Sequence, residues 1–169
     1  MPGQVSPAIC RQSSMNPKPI DDPDLTIAGL KIWVHGRQFP ESGDYHDANW
    51  LFITAQCDAE GARVTATGPI LQITEILHFL KSCEILATTL RGSAILPCRE
   101  PNLAVELDAK SHGHIAITVE ITPEHLSQWH RFEFDADQTY LPPIISGCRN
   151  LLKRFPIRGN TDDNSKEKG

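Results

Sequence analysis

His112, Gly113 and His114 place two imidazoles one residue apart, and paired histidines raise the question of a metal. A zinc site takes about four ligands, and no Cys or His stands beside this pair at a supporting spacing. Gly113 supplies the backbone freedom of a turn, so the pair reads first as polar turn residues. His125 and His130 are five apart, which does not bring two ligands to one helical face. The cysteines, at 10, 57, 83, 98 and 148, are odd in number and lack CxxC spacing. They read as free thiols in a reducing compartment, with neither a disulfide framework nor a zinc ribbon. There is no G-x-S-x-G elbow and no glycine-rich phosphate loop, and no local pattern ties Ser, Cys or His into a triad. Glu75, Glu100, Glu106, Asp108, Glu120, Glu133 and Asp135 could supply an acid and a base, yet most fall on expected solvent faces. No cofactor is expected. The catalytic alternative is a small enzyme or metal-binding protein built on His112, His114 and nearby carboxylates.

The elements that must position these groups follow from hydrophobic period. Leu25, Ile27, Leu30, Ile32 and Val34 form a β-rich run ending near Gly36, with Gly29 interrupting it as a bulge or bend does. A polar loop runs from Arg37 to Ala48. Trp50 to Gln56 and Arg63 to Thr67 then read as strands joined through Asp58, Ala59, Glu60 and Gly61. From Leu71 to about Glu84 the period lengthens: Ile73, Ile76, Leu77, Leu80 and Cys83 lie at helical spacing.

A short strand near Ala94 to Leu96 precedes a hairpin in which Leu103, Val105 and Leu107 alternate with Ala104, Glu106 and Asp108. Its second arm alternates Ile115, Ile117, Val119 and Ile121 with Ala116, Thr118 and Glu120. With Asp108 opposite His114, Leu107 faces Ile115, Val105 faces Ile117 and Leu103 faces Val119. A further strand turns Phe132 and Phe134 inward and Arg131, Glu133 and Asp135 outward. The last element, Pro142 to Phe155, is a helix with an apolar stripe of Ile144, Ile145, Cys148, Leu151, Leu152 and Phe155, stopped by Pro156. Single helices following groups of strands predict an α+β fold: two antiparallel β-meanders, forming one sheet or two, with two amphipathic helices.

The chain of 169 residues fits one domain, which we place at residues 25–158 between disordered ends at 1–24 and 159–169. The formal net charge of -5 gives nucleic acid or an anionic membrane no electrostatic reason to bind the whole molecule. The first residues lack the apolar core of a signal peptide, and no run approaches the roughly 20 apolar residues of a membrane span, so a cytoplasmic protein is expected. On the second meander Glu106, Asp108, Glu120, Glu133 and Asp135 share the faces opposite the apolar ones, opposed only by Arg131 and His114. That pattern reads either as an ordinary solvated sheet face or as an acidic docking surface for a basic protein. Trp33, Trp50 and Trp129 each read as core, rim of core or interface anchor, with core or rim expected first.

Asp47, Ala48, Asn49, Trp50 and Leu51 read DANWL, after a strand-forming run that ends Gly36, Arg37, Gln38, Phe39, Pro40. Together with Thr74, Glu75 and Ile76 in the first helix, Glu100, Pro101, Asn102 and Leu103, and the closing LKRFPIR from Leu152 to Arg158, this resembles the WapI family of bacterial immunity proteins. The resemblance implies a protein that binds the C-terminal domain of a contact-delivered toxin in the cytoplasm and blocks it, with no catalytic residues to carry over. The matched positions are mostly apolar or turn-forming, and Asp47, Asn49, Trp50, Leu51, Glu100, Pro101, Phe155, Pro156 and Arg158 are expected to preserve the fold. Asp47 and Asn49 can satisfy backbone donors ahead of the strand and so set how Trp50 meets the core. Glu100 before Pro101 favours an extended approach to the hairpin. A self-associating adaptor is the remaining alternative.

Overall fold

The computed structural model describes residues 22–159. The ends expected to be disordered lie outside that range, apart from residues 22–24 and Gly159. Two four-stranded antiparallel sheets, each in sequential order, carry the fold. The first holds β1 (Leu25–Ile27), β2 (Leu30–Arg37), β3 (Trp50–Ala59) and β4 (Ala62–Gln72); the second holds β5 (Ser93–Leu96), β6 (Leu103–Ala109), β7 (His114–Ile121) and β8 (Arg131–Asp137). A short α1 (Tyr45–Ala48) lies between β2 and β3, α2 (Ile73–Thr89) links the sheets, and α3 (Leu141–Arg154) follows the second. The fold is α+β, with two separate sheets.

Each sheet is a meander because consecutive strands pair, through tight turns at β1–β2, β3–β4 and β6–β7 and through longer segments elsewhere. In the β1–β2 turn the positive φ falls on Ala28, at 51°, and Gly29 serves a different need. A Cβ there would stand 2.2 Å from the Asp58 carbonyl oxygen and 2.6 Å from the Phe134 ring, so only glycine lets the turn close against β3 and β8. Further along β2, the register shifts between Val34 and Gly36, a bulge at the strand's end.

The apolar faces of both sheets and the inner sides of α2 and α3 form one continuous core. β7 approaches β3 and β4, α2 and α3 pack on each other, α2 lies along β5 and α3 along β1. At the α3–β1 contact, Gly147 permits close approach: a Cβ would sit 2.9 Å from Leu25 Cδ1. The helices thus lie beside edge strands and close a core that the two sheets share.

Three expectations need correction. The β6–β7 register is Leu107 with Ile117, Val105 with Val119 and Leu103 with Ile121, two residues from the one anticipated. Ala109 pairs with Ile115, leaving a 3-10 turn at Ser111–Gly113 to make the reversal. Alternation excludes a shift of one, which swaps faces, but a shift of two keeps every side chain on its face and is invisible to it. The first helix extends beyond Glu84 to Thr89; there Thr88 and Thr89 return their hydroxyls to the Glu84 and Ile85 carbonyls. Lastly, residues 99–102 bend and turn before β6, and the extended approach through Glu100 and Pro101 is absent. Asn102 secures that turn, donating to Thr122 O at 2.8 Å, while Glu75 Oε1 accepts from Arg99 N at 2.8 Å.

Candidate partner-binding surface

The outward side of the second sheet is built by register. Glu106 on β6 pairs with Thr118 on β7, which pairs with Glu133 on β8; one row along, Asp108, Ala116 and Asp135 line up in the same way. Each row runs acid, small side chain, acid. Neighbouring strands are about 4.8 Å apart, so the two acidic walls stand roughly 10 Å apart across β7. Between them lies an open depression of about 560 Å³, floored by Ala116 and Thr118. Glu120 continues the surface, paired with Ala104 and Arg131. All five predicted carboxylates therefore share one face.

Bases stand at its two ends. Arg131 reaches Glu133 at 3.0 Å and Glu120 at 3.4 Å; at the other end Lys110 meets Asp108, and His114 Nδ1 stands 3.7 Å from Asp135. The Asp108 carboxylate raises the Lys110 pKa. These are exposed pairs, individually weak and open to competition from a partner's cations. Five carboxylates against Lys110 and Arg131 leave the face net negative. The outward face of the first sheet differs. There Lys31, Trp33, His35, Phe52, Thr54, Gln56, Thr65 and Thr67 present no carboxylate until Asp58 near the turn, and His35, Thr54 and Thr67 link side chains across three strands at 2.8 and 3.0 Å.

Two large apolar side chains are exposed in the segment that leads into β8: Trp129, which the sequence offered as core, rim or interface anchor, and Leu126, which it did not single out. Trp129 is 70% exposed and Leu126 86%, both in the segment between β7 and β8, whereas Trp33 and Trp50 are half-buried. Core or rim was the expectation favoured for Trp129; it stands in water two residues ahead of β8. Ile95 on β5, opposite Glu106, is also exposed.

The paired histidines are exposed: His112 takes a positive φ of 60° in the 3-10 turn and His114 opens β7. Among the described residues no group of three or more His, Cys, Asp and Glu could hold a metal. Among the described residues the thiols are poor nucleophile candidates. Burial, then the Asp58 charge, pushes Cys57 up to about 11; burial chiefly takes Cys83 to about 12 and Cys148 to about 12.

The signature residues sort by position. Asn49, 1% exposed, donates to Tyr45 O at 2.6 Å and Arg158 O at 2.9 Å, and accepts from Arg158 N at 2.9 Å. Two sequence signatures far apart in the chain meet there. Arg37 donates to Ala48 O at 2.7 Å and to Pro156 O, and its guanidinium stands 5.9 Å from the Phe155 ring centre. The turn ahead of β3 is capped by Asp44, whose Oδ1 accepts from His46 N and Asp47 N, a role expected of Asp47. Leu51, fully buried, enters the core, and Trp50 stays half-buried at its margin.

A small α+β domain with an acidic sheet face bordered by exposed apolar side chains has the make-up of a protein-binding module. Comparison with protein-family models matches residues 24–156 to the immunity protein WapI-like family, and the chain belongs to that family. A search of curated proteins returned no match. Membership assigns the role of an immunity protein and implies binding of a cognate toxin. Among the described residues no helix is long and apolar enough to cross a membrane.

Proposed function

We propose that this immunity protein neutralises its cognate toxin domain in the cytoplasm by direct binding through the outward face of the second sheet. The toxin is a basic protein, such as a nuclease whose cationic cleft holds phosphates. The observation that carries this reading is the double row of acid, small residue and acid across β6, β7 and β8. A trough roughly 10 Å wide with a floor of Ala116 and Thr118 admits an Arg or Lys side chain lying between carboxylates, as a charge-assisted contact requires. Lys110 and Arg131, at the ends, fix the acids in place and can be displaced by a partner's stronger bidentate pairs. The domain itself is the unit from residue 25 to 158, and it acts by occupancy with no chemistry of its own.

The experiment is co-expression of the chain with the toxin domain encoded upstream, using wild type and the double variant E106K/D135K. Wild type is expected to protect the cells and to co-purify with the toxin, and the double variant to lose both while keeping its melting temperature. Continued killing with wild type and no detectable complex would remove the reading. Full protection by the double variant would move the contact to another surface, with the Phe52 and His35 face of the first sheet as the next to test.

A further inference from the structure

We infer that the segment between β7 and β8 is the apolar anchor of the same interface, with Trp129 and Leu126 seated in a recess of the basic toxin whose cations meet the acidic trough. This rests on the proposed function and adds the residues that decide how long the complex lives. Trp129 and Leu126 are the two most exposed large apolar side chains among the described residues. A tryptophan 70% open to water gives the isolated fold little of its burial energy, and buried at the centre of a contact it is the side chain most often found to dominate binding.

The segment is built to present them. Ile121 N donates to His130 O at 3.0 Å, Thr122 N to Asn102 O at 2.9 Å and Gln128 N to Glu124 O at 2.9 Å. Glu124 Oε1 accepts from Leu126 N at 3.1 Å. These bonds hold both ends and the middle, which lowers the ordering cost of binding. The position is set as well. Trp129 shares parity with Arg131, Glu133 and Asp135, and His130 between them is half-buried where its neighbours are exposed. Alternation thus carries from β8 back through Trp129 on the acidic side. Arg131, two residues on, links Glu120 and Glu133. Charge complementarity therefore selects the occupant: the protein that covers Trp129 must lie against a net-negative face, which suits a basic domain and opposes a second copy of this chain.

The two parts of the surface act on different rate constants, which makes the inference testable. Association and dissociation of the full chain with the toxin domain encoded upstream are measured for wild type, Trp129→Ala, Leu126→Ala and the charge variant E106K/D135K, over a range of ionic strength. Trp129→Ala is expected to speed dissociation by at least tenfold, and Leu126→Ala by less, with association rate and salt dependence unchanged. The charge variant is expected to slow association and flatten its salt dependence. Wild type that binds and a Trp129→Ala variant that dissociates at the same rate would overturn the anchor and leave the proposed function standing. Absence of wild-type binding overturns both. A wild-type dimer in light scattering that Trp129→Ala turns into a monomer also overturns the anchor, giving the surface to a second copy.

Discussion

The buried amide of Asn49 joins the Tyr45 carbonyl, in the turn ahead of β3, to the backbone N–H and carbonyl of Arg158. Removing it leaves the Arg158 N–H and two carbonyls without their partner at a part-buried site. Asn49→Ala is therefore expected to destabilise the fold by about 2–3 kcal/mol, read as a lower urea midpoint at unchanged slope. Glu75 gives a second prediction at this scale. Burial pushes its carboxyl up from the ordinary value, while the N–H groups of Gln72 and Arg99 pull it back in part. The folded state thus holds the proton more tightly than the unfolded one, so this group's contribution is fully present below the ordinary carboxylate pKa. It is lost as pH rises through the raised one. Measured at about pH 4 and about pH 7, stability of Glu75→Gln relative to wild type should shift in the variant's favour as pH rises. Asn49 and Glu75 were both legible as polar residues near element starts; their partners, 109 and 24 residues away, were not, because no local rule pairs side chain and backbone over such separations.

The β1–β2 turn is the element where composition and geometry disagree most. The sequence puts glycine at 29, but the left-handed backbone falls on Ala28, and Gly29 is required by the closeness of Asp58 and Phe134. Opposite outcomes follow for adjacent substitutions. Ala28→Gly is expected to raise stability by up to about 1 kcal/mol by relieving the left-handed strain. Gly29→Ala is expected to lower it by about 2–4 kcal/mol, since the facing carbonyl is backbone and cannot yield as a flexible side chain can. Thermal unfolding of both variants checks the pair. Alternation identified the faces of β6, β7 and β8, and only the 3-10 turn at Ser111–Gly113 fixed which residues stand opposite.

Across the whole molecule, the formal charge of -5 is unevenly used: a net-negative sheet face looks one way and a nearly neutral one another. Long-range steering depends on that face, and salt screens it over a Debye length of about 8 Å at physiological ionic strength. Association with the toxin domain is therefore expected to slow by roughly tenfold or more between low and high salt, with dissociation nearly constant, as stopped-flow mixing can measure. A salt-independent association rate would mean that the acidic face is only a solvated surface.

Period and composition alone determined the α+β class, the strands of both meanders, the two long helices and the gathering of Glu106, Asp108, Glu120, Glu133 and Asp135 opposite the apolar side. These depend on side-chain direction along a single element, which repeats every two residues in a strand and every 3.6 in a helix. Tertiary structure decided that the meanders are separate sheets over one core, that two sequence signatures join through Asn49, and that Trp129 stands in water. Each of these depends on which distant segments come together, and a pattern that repeats along one element carries no information about what packs across from it.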